Sequence, residues 1–498
     1  MTEGAIERKR KLSIRTKLAF ASGSLEEAMV LAANVATMIF YNQVLGVSPG
    51  LCGTAFMIGG IVDAISDPMV GAISDSVNTR WGRRHPFMFA SALPLGLFFY
   101  LLYQPPSGLS ELQLFSWLVV MFVGLRLAKS FYAVPHIALG AELTDDYDER
   151  TSVFGWNFVV YTLAGAVLGY FVLAVIFPTT PGFENGLLNP ERYQLLAIFG
   201  GIFVFAWVLI CTFTTADQIP YLHETLKKNF SSFLKDTRDN LGVLLRNPSY
   251  IAVCACWLVL ATSGGVLAVV ATYTLLYAFE LTTEQLAIRA FVTLPGAFVG
   301  ILLSAWFVRQ FDKKYTVILT CFITSLLLGL PYTLRLLGWM PENGTDLLLV
   351  VIFGIWIMGY LFLPVVPIVI DSQLVDIADE HELATGERSE GVIFSVRTMC
   401  FKMTASLGTA LAGFALEFID FPDNASVETL KPEVIDGLLW MTGPLYIFIV
   451  YAGVGFAFLY RIDRKRHAEI LRELEIRRAR STEVDLANED LAGGHAER

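Results

Sequence analysis

Long apolar runs broken by short polar stretches organise this chain from one end to the other. Twelve runs are long enough to consider as membrane crossings, at 18 to 46, 51 to 77, 86 to 104, 111 to 140, 154 to 178, 193 to 215, 248 to 279, 284 to 309, 315 to 337, 346 to 375, 391 to 418 and 437 to 461. Crossing the hydrocarbon takes about 20 largely apolar residues in a helix, so the pattern predicts an all-α polytopic membrane protein with twelve transmembrane helices in two six-helix halves.

The polar stretches alternate in charge. Arg8 to Lys11, then Arg80, Arg83 and Arg84, then Lys227, Lys228, Lys235 and Arg238, then Arg309, Lys313 and Lys314, and finally Arg461, Arg464, Lys465 and Arg466 fall on one side, against Arg192 and Lys431 on the other. This bias predicts a multi-pass protein of the plasma (inner) membrane with both termini cytoplasmic. The longest basic connection separates an N-terminal half, 1–215, from a C-terminal half, 248–461. Within that connection, 216–247, helically spaced apolar residues predict an amphipathic helix on the cytoplasmic surface. Residues 462–498 form a cytoplasmic tail. The turn SDSVNTRWGRRHP after span two has a shorter counterpart, VRQFDKKY, after span eight, which points to parallel duplication of a six-helix unit. Glycine and proline inside spans (Gly71, Pro94, Pro135, Pro295, Pro364) suit helices that kink or pack closely around a cavity.

Composition sharpens this picture without changing it. Of 498 residues 55% are hydrophobic and 16% charged, more apolar surface than a soluble core needs. The net charge of -10 comes partly from the acidic tail and says little about cargo. The six cysteines lie in or beside apolar runs and read as packing residues. The first run follows a basic start and is long enough to span, so it is expected to persist as the first helix and not to be cleaved.

Chemistry enters where charge lies inside apolar runs. In IVDAISDPMVG, Asp63 and Asp67 stand four apart on one helix face, with Ser66 supplying a third oxygen. An ionised pair is tolerable in a membrane when it faces a wet cavity and shares a cation or proton, and sodium, lithium or a proton each suit such an oxygen set. The opposing reading has Asp67, before Pro68, meeting helix backbone or an arginine, and Asp63 meeting a lysine. Glu26 and Glu27 lie in span one, at least one of them expected to face the cavity. Span four carries Arg126 and Lys129 three apart, able to balance the acidic pair or to bind an anionic cargo, and His136, read as a packing histidine. Span eleven holds Arg397 and Lys402 among small and apolar residues; a buried lysine needs an acidic partner, for which Asp63, Asp67 or Glu27 would serve. Asp75, Arg83, Arg84, Glu142, Asp148 and Arg150 near the basic turns are candidates for gating salt bridges, or else ordinary topology-setting charges.

At KLAFASGSLEEA, VDAISDPMVGAISD, RWGRRHPF, YAVPHIALGAELTDDYDER and FSVRTMCFKMTASLG the chain resembles the glycoside-pentoside-hexuronide:cation symporter family of the major facilitator superfamily, over most of its length. The resemblance implies a twelve-helix alternating-access carrier in which Asp63, Ser66, Asp67 and Ser130 match the cation-site positions. It also implies that Lys402 matches the helix-eleven lysine and that Glu27 falls on a sugar-contacting carboxylate. Ala133, Ile137 and Asn157 stand where the family's sugar site has an aspartate, a tryptophan and an arginine, so ion coupling carries over further than a galactoside site does. The lysolipid symporters, similar to this family, show that the same fold moves lipids.

The expectation is a cation:solute symporter and not an enzyme. Its coupling ion is Na+ or H+, with sodium at Asp63 and Asp67, and its cargo is a sugar, glycoside or uronide contacted by Glu27, Lys129, Asn157, Arg397 and Lys402. No cofactor and no nucleic acid are expected as partners. Without a zipper or a strong GxxxG pattern, a monomer is expected. A lysolipid-like or other amphipathic anion is the alternative cargo. A polytopic membrane enzyme is a remote third reading, since no HExxH, nucleophile elbow or phosphate loop is present.

Overall fold

The computed structural model describes residues 11–77, 79–222, 246–385 and 390–477; of residues 147, 390–392, 394–396, 398–403 and 405 only the backbone is described. The expected linker helix, the first ten residues, the acidic tail and the Lys402 side chain therefore lie outside the described residues.

The apolar runs are helical. They form α1 (Ile14–Ala21), α2 (Ser24–Ile39), α3 (Pro49–Ser76), α4 (His85–Leu102), α5 (Glu111–Glu142), α6 (Tyr147–Phe171), α7 (Arg192–Thr214) and α8 (Pro248–Tyr277). Then follow α9 (Thr283–Val292), α10 (Leu294–Phe311), α11 (Lys313–Leu336), α12 (Asp346–Phe362), α13 (Val365–Thr385), α14 (Glu390–Phe418), α15 (Pro432–Trp440) and α16 (Tyr446–Val454). Eleven described spans are long and apolar enough to cross a bilayer. The expected twelfth falls on α14, 29 residues long, whose stretch Ser406–Phe418 is apolar. The major facilitator arrangement of twelve spans follows.

Several spans are jointed. Span one pauses at Ser22 and Gly23, span eight at Thr293 and span ten at Leu363 and Pro364. Short π-helical turns finish span one at Phe40–Val44 and finish or interrupt two others at Val172–Ile176 and Met441–Leu445. The backbone groups freed at such joints are tolerable at membrane depth only where neighbouring helices cover them. Outside the bundle, Leu93, Ile202, Leu302 and Phe448 are exposed, as a lipid-facing surface requires.

The most extensive contact between the first six spans and the last six is α3 against α14. Small residues permit it: a Cβ at Gly53 would strike the Ala410 backbone, and one at Gly60 would strike Ser406. At the end opposite the basic turns, hydrogen bonds join the two sets of spans. Tyr273 donates to Asn42 Oδ1 at 3.0 Å, Tyr277 to Gln43 Oε1 at 2.9 Å, and Asn42 Nδ2 to Asp423 Oδ1 at 2.9 Å. Each buried amide thus finds partners in the opposite set.

Candidate functional site

Helices α3 and α5 run side by side in the same direction with a register of 63 or 64 residues. Gly59 leaves room for the Phe122 ring, Arg126 Nη1 reaches Asp63 Oδ2 at 3.0 Å, and Ser66 and Ser130 share a hydrogen bond of 2.8 Å. One helical turn separates successive rungs, so a single helix face presents the whole ladder. The Arg126 guanidinium also lies over the Phe122 ring, 4.8 Å from its centroid. From the next turn of α5, Lys129 Nζ donates to Glu27 Oε1 of α2 at 3.1 Å. The two cations that the sequence places three apart thus serve two different helices.

These groups line a cavity of about 460 Å³. Its charged lining, among the described residues, is Glu27, Asp63, Asp67, Arg126 and Lys129, all from the first six spans. The last six contribute uncharged groups, Thr272 and Tyr273 from α8 and Ser406 and Thr409 from α14. Much of the remaining wall is apolar: Val30, Leu31, Met38, Phe56, Phe122 and Ile137. Ser66 is buried, and its hydrogen-bond partner Ser130 lines the cavity.

Other expected residues lie elsewhere. Arg397 does not line this cavity; its Nε lies 2.9 Å from Asp371 Oδ1 of α13, and its guanidinium stacks over Trp257. Asn157 sits one turn from the cavity-lining Tyr161, with Oδ1 buried and lacking a hydrogen-bond partner among the described residues. Glu26 is buried, and its Oε1 likewise has no hydrogen-bond partner there. His136 packs between Phe20 and Tyr132, with Nε2 2.9 Å from the Phe20 carbonyl oxygen.

At the basic end, Arg84 at the head of α4 reaches Asp75 at 2.5 Å and Glu142 at 2.8 Å, and donates to Ser74 Oγ at 2.6 Å. Arg83 joins Glu142 at 2.7 Å. Arg150 donates to the Thr144 carbonyl oxygen at 3.1 Å, while Asp148 is exposed. Sequence reasoning missed two ion pairs here: Lys17 with Glu149 at 2.7 Å, and Lys313 with Asp376 at 2.6 Å, where Tyr460 also donates to Asp376 at 3.0 Å. His467, on the helix at 464–477, lies 3.3 Å from Asp376 and 3.2 Å from Asp379. The basic residue just after a span, with an acid near the end of the span two further on, was the available signal.

A jointed twelve-span bundle around a central cavity with charges at mid-helix defines a membrane carrier. The chain belongs to the MFS/sugar transport protein family, matched over residues 19–464, the family of glycoside-pentoside-hexuronide:cation symporters. It is a transporter, not an enzyme, and an integral multi-pass membrane protein. Among its relatives, the putative glycoside/cation symporter YagG of Escherichia coli (strain K12) is 24% identical, covering 95% of this chain and 97% of that one. The glucuronide carrier protein homolog of the same organism is 23% identical over 94% and 97% of the two chains. The isoprimeverose transporter of Lactiplantibacillus pentosus is 23% identical over 89% and 87%. In fold the chain is similar to a bacterial homolog of the human lysosomal transporter Spinster, solved in an inward-facing and unoccupied conformation. The TM-score is 0.60 at 14% identity, over 92% of this chain and 97% of that one.

Proposed function

We propose that this transporter couples inward movement of sodium or a proton to uptake of a sugar, glycoside or uronide by alternating access. The observation that carries the reading is the charged lining of the cavity: three carboxylates, Glu27, Asp63 and Asp67, gathered with two cations inside membrane-spanning helices, a costly placement that suits the binding of a cation or proton. Asp63, Asp67, Ser66 and Ser130 hold the cation. Glu27, Lys129 and Asn157 meet the cargo, Arg397 positions α14 through Asp371, and Lys402 of α14 is a further candidate for coupling. The relative named as a glucuronide carrier protein homolog favours a uronide, as does the second cation on α5.

The halves 1–215 and 248–461 rock about this cavity, joined by 216–247, with both termini and the tail 462–498 cytoplasmic and the carrier monomeric. Asp75, Arg83, Arg84 and Glu142, with Asp148 and Arg150 nearby, tie the cytoplasmic ends. The amide and phenol hydrogen bonds at Asn42, Gln43, Tyr273 and Tyr277 close the outer end. A second cargo, an amphipathic anion such as a lysolipid, is favoured by one observation, the apolar wall of Val30, Leu31, Phe56 and Ile137.

The test is uptake into proteoliposomes by the Asp63→Asn variant. Loss of gradient-driven accumulation, with solute exchange retained, is the expected outcome, and full ion-driven accumulation would overturn the assignment. Competition by lysolipids but not by simple glycosides would replace the first cargo by the second.

A further inference from the structure

Arg126 stands in an unusual relation to the acidic pair. It occupies a carboxylate of the proposed cation site, Asp63 Oδ2, at 3.0 Å, while its guanidinium also forms part of the wall that the cargo would touch. A guanidinium carries five N–H donors in a rigid fork, and one of them is used on Asp63. Its side chain is 20% exposed, so the group is not sealed behind the ladder. The Phe122 ring lies against it, giving the guanidinium a face to slide over without losing its support.

We infer that Arg126 is an internal stand-in for the coupling cation: it neutralises Asp63 in the empty carrier, and on arrival of the cation it swings off Asp63 to bind an anionic group, a carboxylate, of the cargo. This rests on the reading of Asp63 and Asp67 as the cation site. An arriving cation makes Asp63 a poorer partner for Arg126, and an anion beside Arg126 makes it a poorer competitor for Asp63. Each ligand therefore raises the affinity of the other by the same factor, with no rearrangement larger than a side-chain swing. Lys129, held by Glu27, stays in place and fixes where the anion lands. In a symporter without this arginine cation binding would be tighter but blind to the charge of the cargo.

The experiment uses the purified full-length carrier in detergent. Cation binding is measured by titration with NaCl and, separately, by proton uptake, for the wild type, Arg126→Gln, Arg126→Lys and Asp67→Asn. Arg126→Gln is expected to bind the cation about tenfold tighter, within the usual span of coupling factors, with Arg126→Lys between it and the wild type. Methyl β-D-glucuronide is expected to tighten cation binding in the wild type and not in Arg126→Gln, while methyl β-D-glucoside, its uncharged counterpart, leaves both unchanged. A readout on the unsubstituted protein guards against misfolded variants: phenylglyoxal labelling of Arg126, mapped by mass spectrometry, should rise with the cation and fall again when the glucuronide, but not the glucoside, is added with it. Cation binding that is unchanged or weaker in Arg126→Gln, with labelling indifferent to the cation, overturns the exchange. Equal effects of glucuronide and glucoside, or none from either, overturn the anion role. Undiminished binding in Asp67→Asn, or no binding of either ion by the wild type, overturns the cation site itself, and the exchange falls with it.

Discussion

At the basic end, the two sets of spans carry matching clamps. Arg84 at the head of α4 grips Asp75 and Glu142 near the ends of α3 and α5, and Lys313 at the head of α11 grips Asp376 towards the end of α13. Away from the helix ends they differ among the described residues: α2, α3 and α5 bring Glu27, Asp63, Asp67, Arg126 and Lys129 to the cavity, while α8 and α14 bring hydroxyls and small side chains. Arg397 and Asp371, a partly exposed pair of the last six spans, stay clear of the cavity. Among the described residues, then, the two sets of spans share the way their helix ends are tied and differ in what lines the cavity, so the charged lining is one-sided.

The clamps offer the largest effect by which to break this comparison. Glu142→Ala leaves two arginines short of a partner, and Asp376→Ala strips Lys313 and Tyr460 of their carboxylate and leaves His467 with Asp379. Each is expected to cost on the order of 3 kcal/mol, the range for removing one partner of a largely buried ion pair, read as a drop in thermal unfolding in detergent. A large loss in one variant and none in the other would show that the clamps are not equivalent. Next comes the seam between the sets: Gly53→Ala forces a Cβ onto the Ala410 backbone and should cost about 1–3 kcal/mol, while Gly264→Ala, with open space at its Cβ, should be neutral or slightly stabilising.

Smaller effects belong to the outer closure. Tyr273→Phe removes the hydroxyl that donates to Asn42 and should cost about 1 kcal/mol, together with a shift towards conformations open at that end, visible as faster labelling of a cysteine placed at Ala425. The smallest concerns Asp423, in the connection between α14 and α15. Burial, reinforced by the Glu111 charge, raises its carboxyl above the usual range, with the Asn42 hydrogen bond opposing. The folded state then binds protons more readily than the unfolded chain, so stability declines as pH rises through this raised titration and levels off below the ordinary carboxylate value. A melting series against pH should show this slope, and Asp423→Asn should flatten it.

The spans were legible because membrane burial makes every crossing a continuous apolar run, and their ends were less so because helix formation does not stop at the membrane surface. Span ten, expected over 346–375, continues as helix through the polar turns DIADEHELAT to Thr385. The joints at Gly23, Thr293 and Pro364 were not legible, since apolar composition runs straight through them. Asp63, Asp67, Ser66 and Lys129 stood out because charge inside an apolar run is expensive. Partner choice was hidden: nothing along the chain says that α3 and α5 run in register, which is what brings Arg126 to Asp63. Arg397 looked like Lys402 in sequence, and only the approach of α13, with Asp371, separates its surroundings from the cavity.

The most direct test of the one-sided account is cation binding by two carboxylate variants, Asp67→Asn in the first six spans and Asp371→Asn in the last six, titrated with NaCl and with protons beside the wild type. Loss of binding in Asp67→Asn with binding kept in Asp371→Asn is the predicted result. Binding retained in Asp67→Asn, or lost only in Asp371→Asn, would contradict it.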